Sequence, residues 1–432
     1  MTPSLPVSVA SRRSTPWLVG GTLAALFALV SISLSTQILI VIPGLAIALL
    51  ALLRWPWAGV AVLVASVPAQ QLGSVSGGAL TLTRLSLVYA LAGVLTWWTV
   101  ARRPVVGSRL VLPFLLLLGW MFVTAHLARD SAAASSELFR WAIALIAFVA
   151  ALQALVGASE RVVTSFIVVI ALAGALEAGF GAALGLLGFG PESFLIQDSV
   201  SRAYGTFGRP NTFAGYLEMA VFPVLWLGLY SLHRANGALR EYRVARRAGF
   251  AAAAASRRSL TASSILAVVL LGSAAIMLTG VVISFSRGAW IGVLAGLCVS
   301  MLVASRRYWH LILPAMPAVL IATFAVLTLV VPSTLTERVT SITEEARPFD
   351  ASSITIDEEN FAVVERMAHW QAGWRMFEDQ PVAGVGVGNF NANYPDYFVR
   401  EEFRYSQGHA HNFYIHILAE TGIVGLALYI IL

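Results

Sequence analysis

The chain has 432 residues, 58% of them hydrophobic and 12% charged, about half the charged share of a soluble domain; with a mean hydropathy of +0.80 this is a membrane composition. The single cysteine, Cys298, excludes a disulfide framework within the chain. All 28 basic residues are arginine, and their placement argues against nucleic acid as the partner despite the net charge of +6.

In chain order, "RRSTPWLVGGTLAALFALV" has the basic start of a signal peptide but no small-residue cleavage site, so it reads as a first span. Segments apolar enough to cross a membrane recur at 17–34, 37–53, 57–72, 85–101, 110–127, 138–156, 162–187, 211–232, 261–285, 288–305, 310–331 and 412–432, the third being short. The expected fold is an all-α polytopic membrane protein of about 12 transmembrane helices with one long extracytoplasmic loop. The sequence divides into helices with short loops (1–331), that loop (332–410), and a last span (411–432). It ends at "LALYIIL" with no polar tail, which predicts a fragment with further helices beyond it.

Orientation follows from arginine, because cytoplasmic loops hold the excess of positive charge. With the N-terminus cytoplasmic, Arg12 and Arg13, Arg54, Arg102 and Arg103, Arg161, and Arg306 and Arg307 all fall inside. So does the basic segment 233–260, which reads as a cytoplasmic loop that fixes topology against anionic membrane lipids. The segments 188–210 and 332–410 fall outside, the longer one acidic with 13 Asp and Glu against 6 Arg. This places the protein in the cytoplasmic (inner) membrane with a working face toward the periplasm or exterior.

Ionisable groups in hydrocarbon are expensive and tend to face a cavity or a partner. Glu177, Glu218 and Glu420 lie within spans, while Arg209 in "FGRPNTFAGY" and Arg287 in "SFSRGAW" lie at helix ends. On the topology above all five share the outer depth, which points to a polar cavity opening outward. Each has a plainer reading. Arginines at helix ends snorkel to headgroups, Glu218 is within reach of pairing with Arg209, and Asn211 after Pro210 reads as a helix cap. The functional reading is that Arg209 and Arg287 bind phosphate, which suits the guanidinium fork.

Within the outer loop, Phe361, Val364, Met367, Trp370, Trp374 and Phe377 recur at amphipathic-helix spacing. Such a helix lies on the bilayer or caps a cavity; it carries Arg366 as a supporting candidate and His369, read as part of an exposed polar face. "PVAGVGVGNFNANYP" follows and reads as a glycine-rich turn, not a dinucleotide fingerprint. "GHAHNFYIHILAETGIVG" then puts His409, His411 and Asn412 at the lip of the last span, with His416 and Glu420 inside it. Asn412 caps the helix, orients His411 or hydrogen-bonds a sugar; Gly422 and Gly425 read as close helix contacts. His409-x-His411 is at most half of a metal site, with no third ligand evident.

His411-Asn412, nine residues, Gly422, two residues and Gly425 resemble the His-Asn-x9-Gly-x-x-Gly pattern of the bacterial O-antigen ligase and polymerase family. "GRPNTFAGY", "SFSRGAWIG" and "HWQAGWRMFEDQPVAGVGVGNF" resemble that family's two arginine stretches and its loop signature, in family order. The resemblance spans 205–425; the first 200 residues match only as hydrophobic spans. It implies a metal-independent, cofactor-free glycosyltransferase. The partners it implies are an undecaprenyl-diphosphate-linked glycan donor and an acceptor glycan or glycolipid, lipid A core where the envelope has one. His411 would be the general base and Arg209 and Arg287 the diphosphate binders, with Asn412, Asn211, Glu218 and Arg366 in support.

The chemistry agrees with that assignment independently. A sugar hydroxyl is a poor nucleophile that a neutral histidine can deprotonate, and fixed arginines can stabilise a departing diphosphate where no metal motif is present. Three other readings stand beside a ligase: a polymerase of the same family, a lipid-linked oligosaccharide transporter, and a non-catalytic membrane scaffold. No inverted repeat or midplane charge supports the transporter.

Overall fold

In a computed structural model, residues 51, 55, 57–71, 82–100, 102, 104–196, 200–248, 250–303, 349–356 and 360–432 are described. Spans expected at 17–34 and 310–331, and nearly all of 37–53, lie outside these residues, as do residues 332–348 and the acidic stretch at 357–359. The described chain is helical apart from one two-residue antiparallel ladder, β1 (Leu195–Ile196) with β2 (Val200–Ser201). Its helices are α1 (Ala58–Ser66), α2 (Leu82–Thr99), α3 (Val111–Ala125), α4 (Ser131–Leu155), α5 (Glu160–Leu186), α6 (Pro210–Ala248), α7 (Phe250–Ile283), α8 (Arg287–Val303), α9 (Phe361–Asp379) and α10 (Phe413–Ile431).

Five of them, in α4, α5, α6, α7 and α10, are long and apolar enough to cross a membrane, and α3 and α8 are shorter apolar helices. The span expected at 57–72 is the nine-residue α1 followed by a 3-10 turn at Pro68–Gln71, too short to cross. Residues 233–248 and 250–260, expected as a loop, are instead helical, because their alanines and arginines are strong helix formers.

Helix starts follow from capping side chains. Asp130 Oδ1 accepts the Ala132 and Ala133 N–H groups at 2.9 and 3.0 Å, opening α4, and Ser159 opens α5. One core joins α5, α6, α7 and α8 around Phe213, Leu217, Leu270 and Met277. A second packs α1, α2, α4 and α5 around Val60, Ala90 and Phe166. A third unites α3 and α4 with α10 through Leu117, Met121 and Ile417.

The segment before α10 is anchored to this frame by α9. Its buried face is Val364, Met367, Ala368, His369, Ala372, Gly373 and Met376, whereas Phe361 and Trp374 are exposed. The apolar stripe read from the sequence is thus split. The small residues let α9 approach α10, Gly373 facing Ile415, and leave the large aromatics outward, as an interfacial helix does.

Candidate active site

The lip of α10 is built by its cap. Asn412 Oδ1 accepts the N–H groups of Tyr414 and Ile415 at 3.0 and 3.3 Å, so capping is its observed role. To enter that cap the chain turns sharply at His411, which has φ +56°, a strained region for a residue with a Cβ. The His411 N–H donates to His409 Nδ1 at 3.0 Å, and the two rings lie edge to face with centroids 4.3 Å apart.

Below them sits His369, reached across α9. It is fully buried, stacked on Tyr394 at 4.8 Å and edge-on to His411 at 5.3 Å. Its Nδ1 lies 2.8 Å from the Glu365 carbonyl and its Nε2 accepts the Gln407 N–H at 3.3 Å. A carbonyl accepts only, so Nδ1 carries the ring proton and the tautomer is fixed. The expectation that His369 belongs to an exposed polar face is overturned: it is a buried strut under the 407–411 segment.

The histidines share their surroundings with two arginines. His411 is open to solvent on one side, yet its pKa is pushed down to about 4, first by burial of the rest of the ring, then by His409, His369, Arg366 and Arg209. His409 is lowered by burial and by His416, Arg209 and His369. The fold therefore brings Arg209 and Arg366 within electrostatic reach of His411 and keeps that imidazole unprotonated at neutral pH.

Arg209 is positioned by a buried carboxylate. Glu177 accepts the Thr206 N–H at 2.7 Å and its hydroxyl at 2.9 Å, holding the turn Gly205–Phe207 that leads into α6. No ion pair joins Arg209 to Glu218 among the described residues. Glu218 faces Gly292 of α8 instead, which corrects the expected pairing. Asn211 is the second residue of α6 rather than its cap, and its Oδ1 accepts from the Arg202 guanidinium at 2.9 Å.

Arg202 was not singled out from the sequence. Its Nε donates to the Ser284 carbonyl at 2.8 Å, and the Ala203 N–H donates to Ile283 O at 3.0 Å. These bonds tie the Arg209 stretch to the α7–α8 connection, where Phe285 has φ +51° and Arg287 begins α8. This fixes where Arg287 starts α8; the arginine charges that act on His411 are Arg209 and Arg366, and Arg287 is not among them. The signal in the sequence was a second arginine in the short outer segment before Arg209.

The glycine-rich turn docks into a break in α10. Gly422 has φ +66° and ψ −169°, so α10 is two half-helices. The carbonyls freed at the break are met from outside: Ala419 O by the Val385 N–H at 2.9 Å and Glu420 O by the Gly386 N–H at 3.0 Å. The Trp120 indole donates to Thr421 O at 2.8 Å, and the Ile423 N–H donates to Pro381 O at 2.9 Å. The Glu420 carboxylate accepts from Gly388 N–H at 2.8 Å and Phe390 N–H at 2.9 Å, so its role is to hold the turn. Asn389 exchanges two hydrogen bonds with the Asp130 backbone, at 2.6 and 3.0 Å, bolting the other side to α4. Gly422 does make a close contact, but with the Val382 carbonyl of the turn, while Gly425 lies against Thr421 and Trp120. Among the described residues no group of three or more His, Cys, Asp or Glu side chains could hold a metal ion.

Residues 272–430 match the family model described as O-Antigen ligase. That stretch, somewhat over a third of the chain, is similar to the domain of that family. It contains Arg287, Arg366, His369, His409, His411 and Asn412, whereas Arg202, Arg209, Asn211 and Glu218 precede it in the chain. The family is that of glycan transfer in O-antigen biosynthesis, and with the apolar helices it makes this a multi-pass membrane protein. No curated protein and no solved structure matches the chain.

Proposed function

We propose that the ligase-like stretch and the preceding arginines transfer a glycan from undecaprenyl diphosphate to an acceptor sugar hydroxyl at the outer face of the cytoplasmic membrane. The observation that carries this reading is the lip of α10, where the His369, His409 and His411 rings meet edge to face with Arg209 and Arg366 acting electrostatically on His411. The acceptor O–H gives its proton to His411 while its oxygen bonds to the anomeric carbon. The bond from that carbon to the donor phosphate breaks, and the diphosphate leaves with the electron pair. Arg209 and Arg287 hold that developing charge, with Arg366 in support; preorganised donors of this kind act where water is excluded. Asn412 contributes by capping α10, and Asn211 through Arg202.

The test uses the full chain in membranes with EDTA and an undecaprenyl-diphosphate glycan donor. His411→Ala is expected to lose about 10²–10⁴-fold in rate, and Arg209→Ala and Arg287→Ala to lose donor turnover while still folding. Turnover in all three equal to that of the parent refutes the assignment. Product size separates ligation of a finished glycan from polymerisation.

A further inference from the structure

Two exposed histidines stand at the lip of α10, and their hydrogen bonds give them different parts to play. His409 Nδ1 accepts the His411 N–H at 3.0 Å. A ring nitrogen that accepts carries no proton, so the neutral His409 ring holds its one proton on Nε2. A second proton, on Nδ1, would set two N–H groups against each other. It would also break the bond that closes the turn at His411, where φ is +56°. Burial acts in the same direction, with Arg209 among the charges that disfavour the imidazolium.

His409 is thereby excluded as the base. One of its nitrogens is taken by the backbone and the other already holds a proton. Neither ring nitrogen of His411 carries a hydrogen bond among the described residues, so one is open to accept. The rings also differ in their cationic neighbours. On His409 Arg209 outweighs His369, whereas on His411 Arg209 ranks behind Arg366. His409 is therefore the ring turned toward Arg209. A fixed neutral N–H gains most from an anionic oxygen, since charge-assisted hydrogen bonds are about twice as strong as neutral ones.

We propose that His409 is a further diphosphate contact, its Nε2–H donating to an oxygen of the departing diphosphate beside Arg209. The role rests on the transfer reaction proposed above. No bond forms or breaks at His409: the acceptor proton goes to His411, the electron pair leaves with the diphosphate, and the Nε2 proton stays where it is. A donor already in place when that charge develops lowers the barrier without reorganisation.

Side-chain amides separate the two ring nitrogens. Asn at 409 reaches the Nδ1 position and can accept the His411 N–H, but offers nothing at Nε2. Gln reaches the Nε2 position with an N–H and leaves the His411 N–H without its acceptor. The full chain in membranes is assayed for donor turnover, with inorganic diphosphate added as a competing mimic of the leaving group. His409→Asn is expected to lose roughly 10²-fold in kcat and to be inhibited by diphosphate about tenfold more weakly; His409→Gln is expected to recover most of both losses. The reverse order, Asn active and Gln not, overturns the contact and leaves His409 as a support for the His411 turn. Equal activity in the two variants overturns it as well. Loss of kcat in Asn with unchanged diphosphate inhibition overturns the diphosphate as the partner. His411→Ala runs alongside. Where it fails and His409→Asn works, only the role of His409 falls; where it matches the parent, the transfer reaction falls with it.

Discussion

Gly384→Ala tests whether the glycine turn is the partner of the broken helix. Gly384 has φ +66°, and an added Cβ would meet Glu420 C at 2.4 Å, Ala419 O at 2.5 Å and Thr421 N at 2.5 Å. The left-handed backbone alone costs about 1–2 kcal/mol. The overlap is with main chain that no rotamer relieves, so the turn must back away. That move strips Ala419 O and Glu420 O of the Val385 and Gly386 N–H groups, at roughly 1–3 kcal/mol for each buried polar group left unpaired. The sum is about 3–8 kcal/mol, a large fraction of the stability of an ordinary domain. Gly408→Ala is the control: its φ is +87°, but nothing lies within 4 Å of the added Cβ, so only the backbone cost remains. Thermal unfolding of both variants in one detergent is expected to show a loss for Gly384→Ala several times that for Gly408→Ala. Equal losses refute the docking of the turn into α10.

Three further outcomes follow from the site. His411 is held down to about 4 by burial and then by neighbouring positive charge, so the acid limb of kcat/KM, which reports the free protein, lies near that pH. Bound diphosphate adds negative charge beside Arg209 and favours the imidazolium, so the acid limb of kcat lies at higher pH, and Arg209→Gln moves the kcat/KM limb upward. Coincident limbs would place the donor's charge elsewhere. His369→Phe keeps the stack on Tyr394 and loses both ring hydrogen bonds, to the Gln407 N–H and the Glu365 carbonyl, about 2 kcal/mol together. It is expected to lower kcat roughly thirtyfold with donor KM unchanged, and single-turnover kinetics separate the two. Arg202→Gln breaks bonds to Ser284 and Asn211, each about 1.5–3 kcal/mol for a charged donor. At least about a tenfold rise in donor KM is expected, and an unchanged KM would show that this strut does not position Arg209 and Arg287.

Hydropathy made most described helices legible because a membrane span is a long apolar run. It missed at α1, where an apolar run of the right kind is too short a helix, and at 233–260, where charge was read as loop although the residues favour helix. Asn412 was legible as a cap because a cap before an apolar run is a local signal. His369 was not, since its burial depends on Tyr394 and Gln407, which are distant in sequence. Glu420 was unreadable for the same reason: nothing local says that residues 381–390 will donate to it.

The two glycine motifs are best understood as one device. A break within a membrane helix leaves carbonyls that lipid cannot satisfy, and such breaks survive only where protein covers them. Here the cover is the turn at 382–390, which therefore cannot drift from α10 without exposing Ala419 O and Glu420 O. The turn begins three residues beyond the end of α9, so fixing it also fixes the C-terminal end of that helix. His369 and Arg366 ride on α9, and His411 rides on the lip of α10. The penalty for uncovering the break is thus what keeps His411, His369 and Arg366 in one register. This geometry explains why the glycines lie outside the histidine cluster yet govern it. A variant that loosens the turn should lose transfer through disorder of the site before it loses donor binding at Arg209, whose stretch is held separately by Glu177 and Arg202.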